Sequence, residues 1–163
     1  MNTENYALAF LLNSGLADDP SDILINPMIT ETNAPPGHER SFQPDAVVVR
    51  KSGTTLFVFV IHSSEPADME NLAENLRSLE RVLFGPYKIN VPHKSSMPIL
   101  VFDSFPVQSA FEAFLQEKGY AFEFPLLLTN ENDQKIIQYP KEKGFFQRFI
   151  DRLCNITERA FEY

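Results

Sequence analysis

Few residues have types that could do chemistry, and the best candidates lie at the two ends of one apolar stretch. Asp45 follows Pro44 at its start, and His62 lies near its end. Asp45 is either a metal ligand or the polar residue that opens a strand after proline. His62 is either a site residue or a hydrogen-bonded histidine at a strand end. We favour the structural interpretation of both, so their types alone do not establish an activity.

Signatures of other catalytic sites are missing from the sequence. It contains no Gly-rich phosphate loop, no Gly-x-Ser-x-Gly elbow and no His-Glu-x-x-His pair. Cys154 is the single cysteine, so one chain cannot form an internal disulfide or a thiolate metal cluster. We expect Cys154 to be packed, and we expect His38-Glu39-Arg40 and His93-Lys94 to be solvated.

The stretch that positions Asp45 and His62, residues 44–64, is predicted to be a β-hairpin. Two runs rich in β-branched and aromatic residues flank a short polar segment, where Gly53 is able to take a positive φ. Both runs are almost continuously apolar. We therefore expect both strands to be buried on both faces.

The remaining elements alternate between helices and strands. Helices are predicted over residues 4–16, from Glu65-Pro66 to near Gly85-Pro86, and over 106–118, with Ser64 as the cap of the second. Further strands are predicted over 23–25, 98–103, 120–129 and 134–139, and connections over 30–43 and 85–97. This order predicts one α/β domain over residues 1–163, with a mixed sheet and flanking helices.

Apolar residues at helical spacing predict an appended amphipathic helix over residues 141–163, following a core of residues 1–140. The simplest interpretation is a helix docked on that core. A helix offered to another protein or to a second copy is the main alternative. Its polar face is mixed in sign, so a membrane-surface helix is the least favoured interpretation.

The charge distribution bears on the kind of partner. The net charge is −8, and residues 1–45 contain seven acidic residues and one arginine. Nonspecific nucleic-acid binding normally draws on a basic surface, so this balance argues against it. The sequence has no signal peptide and no apolar run long enough to span a bilayer, so we expect a soluble, cytoplasmic protein with no membrane partner.

The element order, with Pro44-Asp45 opening the first hairpin strand, resembles the PD-(D/E)xK nuclease superfamily, which has the restriction-endonuclease-like fold. The second matching piece is Val60-Ile61-His62-Ser63-Ser64. The resemblance covers roughly residues 4–128. In that family two acids bind Mg²⁺ and a lysine assists the attacking water.

The match to that motif is incomplete. Asp45 corresponds to the first acid, but Val60 stands where the second acid belongs and has no oxygen ligand. His62 stands where the lysine belongs, and a histidine is mostly neutral at pH 7. We therefore predict a non-catalytic interaction or regulatory protein on a nuclease-like fold, with an eroded metal site and no cofactor. Its partner is expected to be another protein, or a second copy bound through residues 141–163.

The alternative is a divalent-metal-dependent DNA or RNA phosphodiesterase with a rearranged site. Asp45, His62 and Glu74 would then be catalytic, and Asp45 and Glu70 would hold Mg²⁺ or Mn²⁺. The second acid could come from Glu39, Glu70 or Glu74. Nucleic acid is a partner under this alternative alone.

Overall fold

The computed structural model describes residues 3–92 and 95–140, which form helices on both faces of a sheet. The described helices are α1 (Thr3–Asn13), α2 (Pro66–Leu83) and α3 (Phe105–Lys118), besides a 3₁₀ turn at Pro20–Asp22. The described strands are β1 (Ile23–Ile25), β2 (Ile29–Thr30), β3 (Ser41–Phe42), β4 (Ala46–Val49), β5 (Thr54–Ile61), β6 (Ser95–Phe102), β7 (Leu126–Asn130) and β8 (Ile137–Tyr139). No helix in this part of the chain has both the length and the apolar character needed to cross a membrane.

Six strands form one mixed sheet in the order β1-β4-β5-β6-β7-β8. β5, β6 and β7 are parallel, whereas β1 pairs with β4, β4 with β5 and β7 with β8 in antiparallel fashion. β2 and β3 form a separate two-stranded ribbon. The predicted α/β class with a mixed sheet is confirmed, while the restriction-endonuclease-like core stays a prediction.

The β4–β5 hairpin forms as predicted, with Val47 opposite Phe57 and Gly53 at a φ of +94°. Side chains of β5 alternate between two apolar cores. Phe57 and Phe59 pack with α2 and α3, whereas Leu56 and Val58 pack with α1 on the other face. A continuous apolar run serves both cores, because successive side chains of a strand point to opposite faces.

Two helices have the apolar stripes that the sequence predicts, but one cap differs. Ser104 caps α3, and Gly119 ends it at a φ of +68°. The residue before α2 is Glu65, which makes no side-chain cap bond, so the prediction that Ser64 caps this helix is wrong. Pro66 at the first helical position supplies the start, because its φ suits a helix and its missing N–H is not needed there.

Several predicted boundaries are corrected. Helix α1 ends at Asn13 and not at 16, and β6 begins at Ser95, inside the predicted connection. The segment from Tyr120 is irregular until β7 begins at Leu126. The predicted loop over 30–43 contains parts of two paired strands, β2 and β3. Distant residues also hold it, since the Thr30 N–H donates to Asn90 Oδ1 at 3.0 Å and the Thr32 N–H to the Lys88 carbonyl at 2.8 Å. His93, Lys94 and the proposed helix over 141–163 lie outside the described residues.

Candidate functional site

Asp45 lies directly before β4 and takes part in the sheet through its side chain. The Val60 N–H donates to Asp45 Oδ2 at 2.6 Å. The Asp45 backbone N–H donates to the Val58 carbonyl at 3.0 Å, and the Asp45 carbonyl accepts from Asn26 N–H at 2.9 Å. The carboxylate therefore extends the pairing of β4 with β5 by one side-chain bond.

The charge of Asp45 is only partly compensated. Burial raises the pKa of Asp45, and the nearby Glu4 carboxylate raises it further. The Val60 N–H and His62 act in the opposite direction, but the net shift is upward. Its ionised form is therefore less stable in the folded protein than in water.

Glu4 is the functional candidate that the sequence did not identify. It lies in the first turn of α1, and its Oε1 is 3.8 Å from His62 Nε2. Both side chains are at least half exposed. In the sequence Glu4 has the ordinary position of an acid at a helix N-terminus. Nothing local indicates that α1 brings it to residues more than 40 positions away.

A cavity of about 250 Å³ lies between α1 and the adjacent ends of β1, β4 and β5. Most of its lining is apolar, and its acidic groups are Glu4 and Asp45. The Val60 side chain lies in this lining, at the position where the resemblance places a metal-binding acid. The other lining residues are Ala7, Leu8, Leu11, Ile25, Asn26, Ala46 and Val58.

The structure does not bring the other proposed acids to Asp45. Helix α2 packs on the opposite face of the sheet from α1. On that helix Glu70 accepts a hydrogen bond from the Tyr120 hydroxyl at 2.7 Å, and Glu74 pairs with Arg81 at 3.4 Å. Glu39 accepts from the Gly37 N–H at 3.0 Å in an exposed loop.

The donor groups around Asp45 do not fit a metal ion. Within residues 3–92 and 95–140, no three His, Cys, Asp or Glu side chains are grouped so that they could hold one. The Val60 side chain has no oxygen that could bind a metal. Asp45 Oδ2 already accepts a hydrogen bond from the Val60 backbone N–H. Mg²⁺ requires near-octahedral oxygen coordination, so this arrangement is a poor match for it.

The carboxyl ends of the parallel strands extend the acidic character of this region. His62, Asp103 and Glu131 directly follow β5, β6 and β7, whose last residues are in register. Asp103 Oδ1 and Glu131 Oε1 are buried and have no hydrogen-bond partner among the described residues. Two further carboxylate oxygens at this edge of the sheet thus have no donor in the part of the chain that the structure describes.

Another carboxylate is buried outside the cavity lining, beside the β2–β3 ribbon. Glu31 accepts from Arg40 Nε at 3.2 Å, from Arg40 Nη2 at 3.3 Å and from the Arg40 backbone N–H at 2.8 Å. Arg40 is exposed, as expected for this loop, but its guanidinium is also paired with a buried carboxylate, which the sequence did not indicate. His38 and Glu39 are exposed.

Comparison with known proteins gave no relative, since no family model, no curated protein and no solved structure matches this chain.

Proposed function

We propose that the protein is a non-catalytic interaction or regulatory protein, built on a nuclease-like α/β fold whose metal site is eroded. The observation that carries this proposal is the 2.6 Å bond from the Val60 N–H to Asp45 Oδ2. It gives Asp45 a role within the sheet that needs no metal. The Val60 side chain beside it lines an apolar cavity.

The positions of the other acids support the same proposal. Glu70 and Glu74, the acids that would replace the one missing at Val60, lie on α2 across the sheet and have other partners. To build a metal site from these acids, α2 would have to move away from the core against which it packs. That core includes the fully buried Leu76 and Leu79.

Calorimetric titration with Mg²⁺ and Mn²⁺ tests the proposal. We expect no saturable binding that depends on Asp45. The Asp45→Asn variant retains an oxygen that can accept from Val60 N–H, so it separates loss of charge from loss of the fold. Glu117→Gln, on the exposed surface of α3, is the matched charge control. Saturable binding that is lost in Asp45→Asn and retained in Glu117→Gln would overturn the proposal.

One observation favours the alternative, a divalent-metal-dependent phosphodiesterase. Glu4 brings a carboxylate to His62 beside Asp45, so an acid absent from the motif is supplied by α1. Single- and double-stranded DNA and RNA, incubated with Mg²⁺, Mn²⁺ or Zn²⁺, provide the test. Cleavage that is lost in both Glu4→Gln and Asp45→Asn would establish this alternative, and equal cleavage by wild type and variants would reject it.

A further inference from the structure

We propose that the cavity between α1 and the β1–β4–β5 ends binds one lysine or arginine side chain of a partner protein. The aliphatic stem would lie on the apolar lining, and the cationic head would meet Glu4 and Asp45. This inference rests on the proposed function, since it names the kind of partner that an interaction protein of this shape would take.

The size of the cavity favours a single side chain. Its volume of about 250 Å³ lies below the range of roughly 300–1,000 Å³ that encloses drug-sized ligands. A nucleotide brings phosphate charges, which the carboxylates of Glu4 and Asp45 would repel. Lysine and arginine combine a long aliphatic stem with a charged head, and they commonly lay the stem along apolar surface.

The charges of the cavity are complementary to a cation. Asp45 and Glu4 repel each other, and His62, the basic residue beside them, lies 3.8 Å from Glu4. A carboxylate has more than one acceptor position, so Asp45 can receive a cationic donor while it keeps the Val60 N–H. A bound ammonium or guanidinium would offset the cost of holding these charges together.

The surroundings of the cavity favour a protein as the source of the cation. Ile25, which lines the cavity, is 58% exposed. Six large apolar side chains are exposed among the described residues, and four of them belong to α1, β1 or the residues just after β1. These four are Leu12, Leu24, Ile25 and Met28. Of these four, Ile25 lines the cavity, whereas Leu24 points to the opposite face of the sheet, because its neighbour Ile23 packs on the α1 face. A free amine would leave Ile25 in water, whereas residues flanking a lysine in a peptide would cover part of it.

Fragment binding to the full chain tests the cavity directly. The probes are n-butylammonium and n-butylguanidinium, with 1-butanol as the neutral control, followed through the NMR methyl signals of Ala7, Leu8 and Val58. We expect saturable shifts concentrated at these methyls, and affinity weaker by roughly tenfold for 1-butanol and for the Glu4→Gln and Asp45→Asn variants. Glu117→Gln should bind like wild type. Equal binding of butanol and the cations, or no shift at these methyls, would overturn the proposal.

A peptide experiment distinguishes a protein partner from a free amine. A peptide with a central Leu-Lys-Leu is compared with the same peptide carrying acetyl-lysine and with n-butylammonium. We expect the lysine peptide to bind at least roughly tenfold more tightly than either. A peptide no better than n-butylammonium would mean a small-amine site and overturn the partner assignment. Shifts of the same methyls on concentrating the protein alone would assign the site to a second copy instead.

The two proposals fail in different ways. An Asp45-dependent metal site overturns the proposed function whatever the peptides do. Absence of cation binding, together with absence of metal binding and cleavage, overturns the cavity assignment and leaves an interaction protein that uses another surface.

Discussion

The carboxylates of Glu31 and Asp45 are both withdrawn from water, but the protein treats their charges differently. At Glu31 burial raises the pKa, but hydrogen bonds and charge from Arg40 outweigh it, so the net shift is downward. At Asp45 burial and Glu4 prevail over the Val60 N–H and His62, so the net shift is upward. Glu31 is hydrogen-bonded to a cationic side chain, whereas the Asp45 side chain accepts from a backbone N–H and the nearby His62 is paired with Glu4. The comparison indicates that Glu31 serves the fold and that Asp45 is the carboxylate suited to an external cation.

The largest expected effect on stability comes from removing the cation of the Glu31–Arg40 pair. The Glu31 side chain is fully buried and that of Arg40 is 44% exposed. Arg40→Met should lower the free energy of unfolding by roughly 3 kcal/mol, at the lower end for buried pairs because Arg40 is partly solvated. Urea denaturation measures this loss.

The matched control for Arg40→Met removes both charges. Glu31→Met combined with Arg40→Met should recover most of the lost stability, because no buried charge is then left without a partner. If the double variant is as unstable as Arg40→Met, the loss comes from packing and not from the charge.

The second effect compares two substitutions of Asp45. Asp45→Ala leaves the Val60 N–H without its acceptor and should cost about 1–3 kcal/mol. Asp45→Asn keeps an acceptor oxygen and removes a charge that burial and Glu4 destabilise. It should therefore leave the free energy of unfolding at pH 7 almost unchanged or increase it. Thermal and urea unfolding of the two variants measure the difference. Equal losses would contradict the role of the Val60 bond.

The pH dependence of stability should have opposite signs at the two carboxylates. Since the pKa of Glu31 is lowered from 4.5 on folding, its stabilising contribution is full above that value and is lost as the pH falls through the lower folded pKa. Since the pKa of Asp45 is raised from 3.8, its contribution is full below 3.8 and is lost as the pH rises through the higher folded pKa.

Two neutral variants make this difference measurable. As the pH rises from about 3 to 7, wild type should gain stability relative to Glu31→Gln and lose stability relative to Asp45→Asn. Urea unfolding at intervals across this range gives both curves. If the stability of wild type relative to each variant changed in the same direction with pH, the charges of the two carboxylates would not be compensated differently.

The smallest effect is expected at an exposed ion pair. The side chains of Glu74 and Arg81 are 59% and 51% exposed, and their closest N–O distance is 3.4 Å. Glu74→Gln should change the free energy of unfolding by less than about 0.5 kcal/mol, because solvent screens such pairs. Urea unfolding in low and high salt measures this change. A loss of more than about 1 kcal/mol would show that the pair contributes more to stability than exposed ion pairs normally do.

The predictions from sequence succeeded where the signal is local. The β4–β5 hairpin follows from two apolar runs around Gly53, and α3 follows from its apolar spacing with Ser104 and Gly119 at its ends. Boundaries failed where segments far apart in sequence meet, as at the β2–β3 ribbon, which is held by hydrogen bonds to Lys88 and Asn90. The Glu31–Arg40 pair in the same region has no signature in the sequence either.

The sequence by itself determined the α/β class, the burial of the hairpin on both faces and the absence of an oxygen ligand at Val60. Each depends on the residue type or on the spacing of neighbours along the chain. Only the tertiary structure decided that Glu4 comes to Asp45 and His62, that Glu70 and Glu74 lie across the sheet, and that an apolar cavity opens beside Asp45. These facts depend on which face of the sheet each helix covers, and packing between segments far apart in sequence determines that choice.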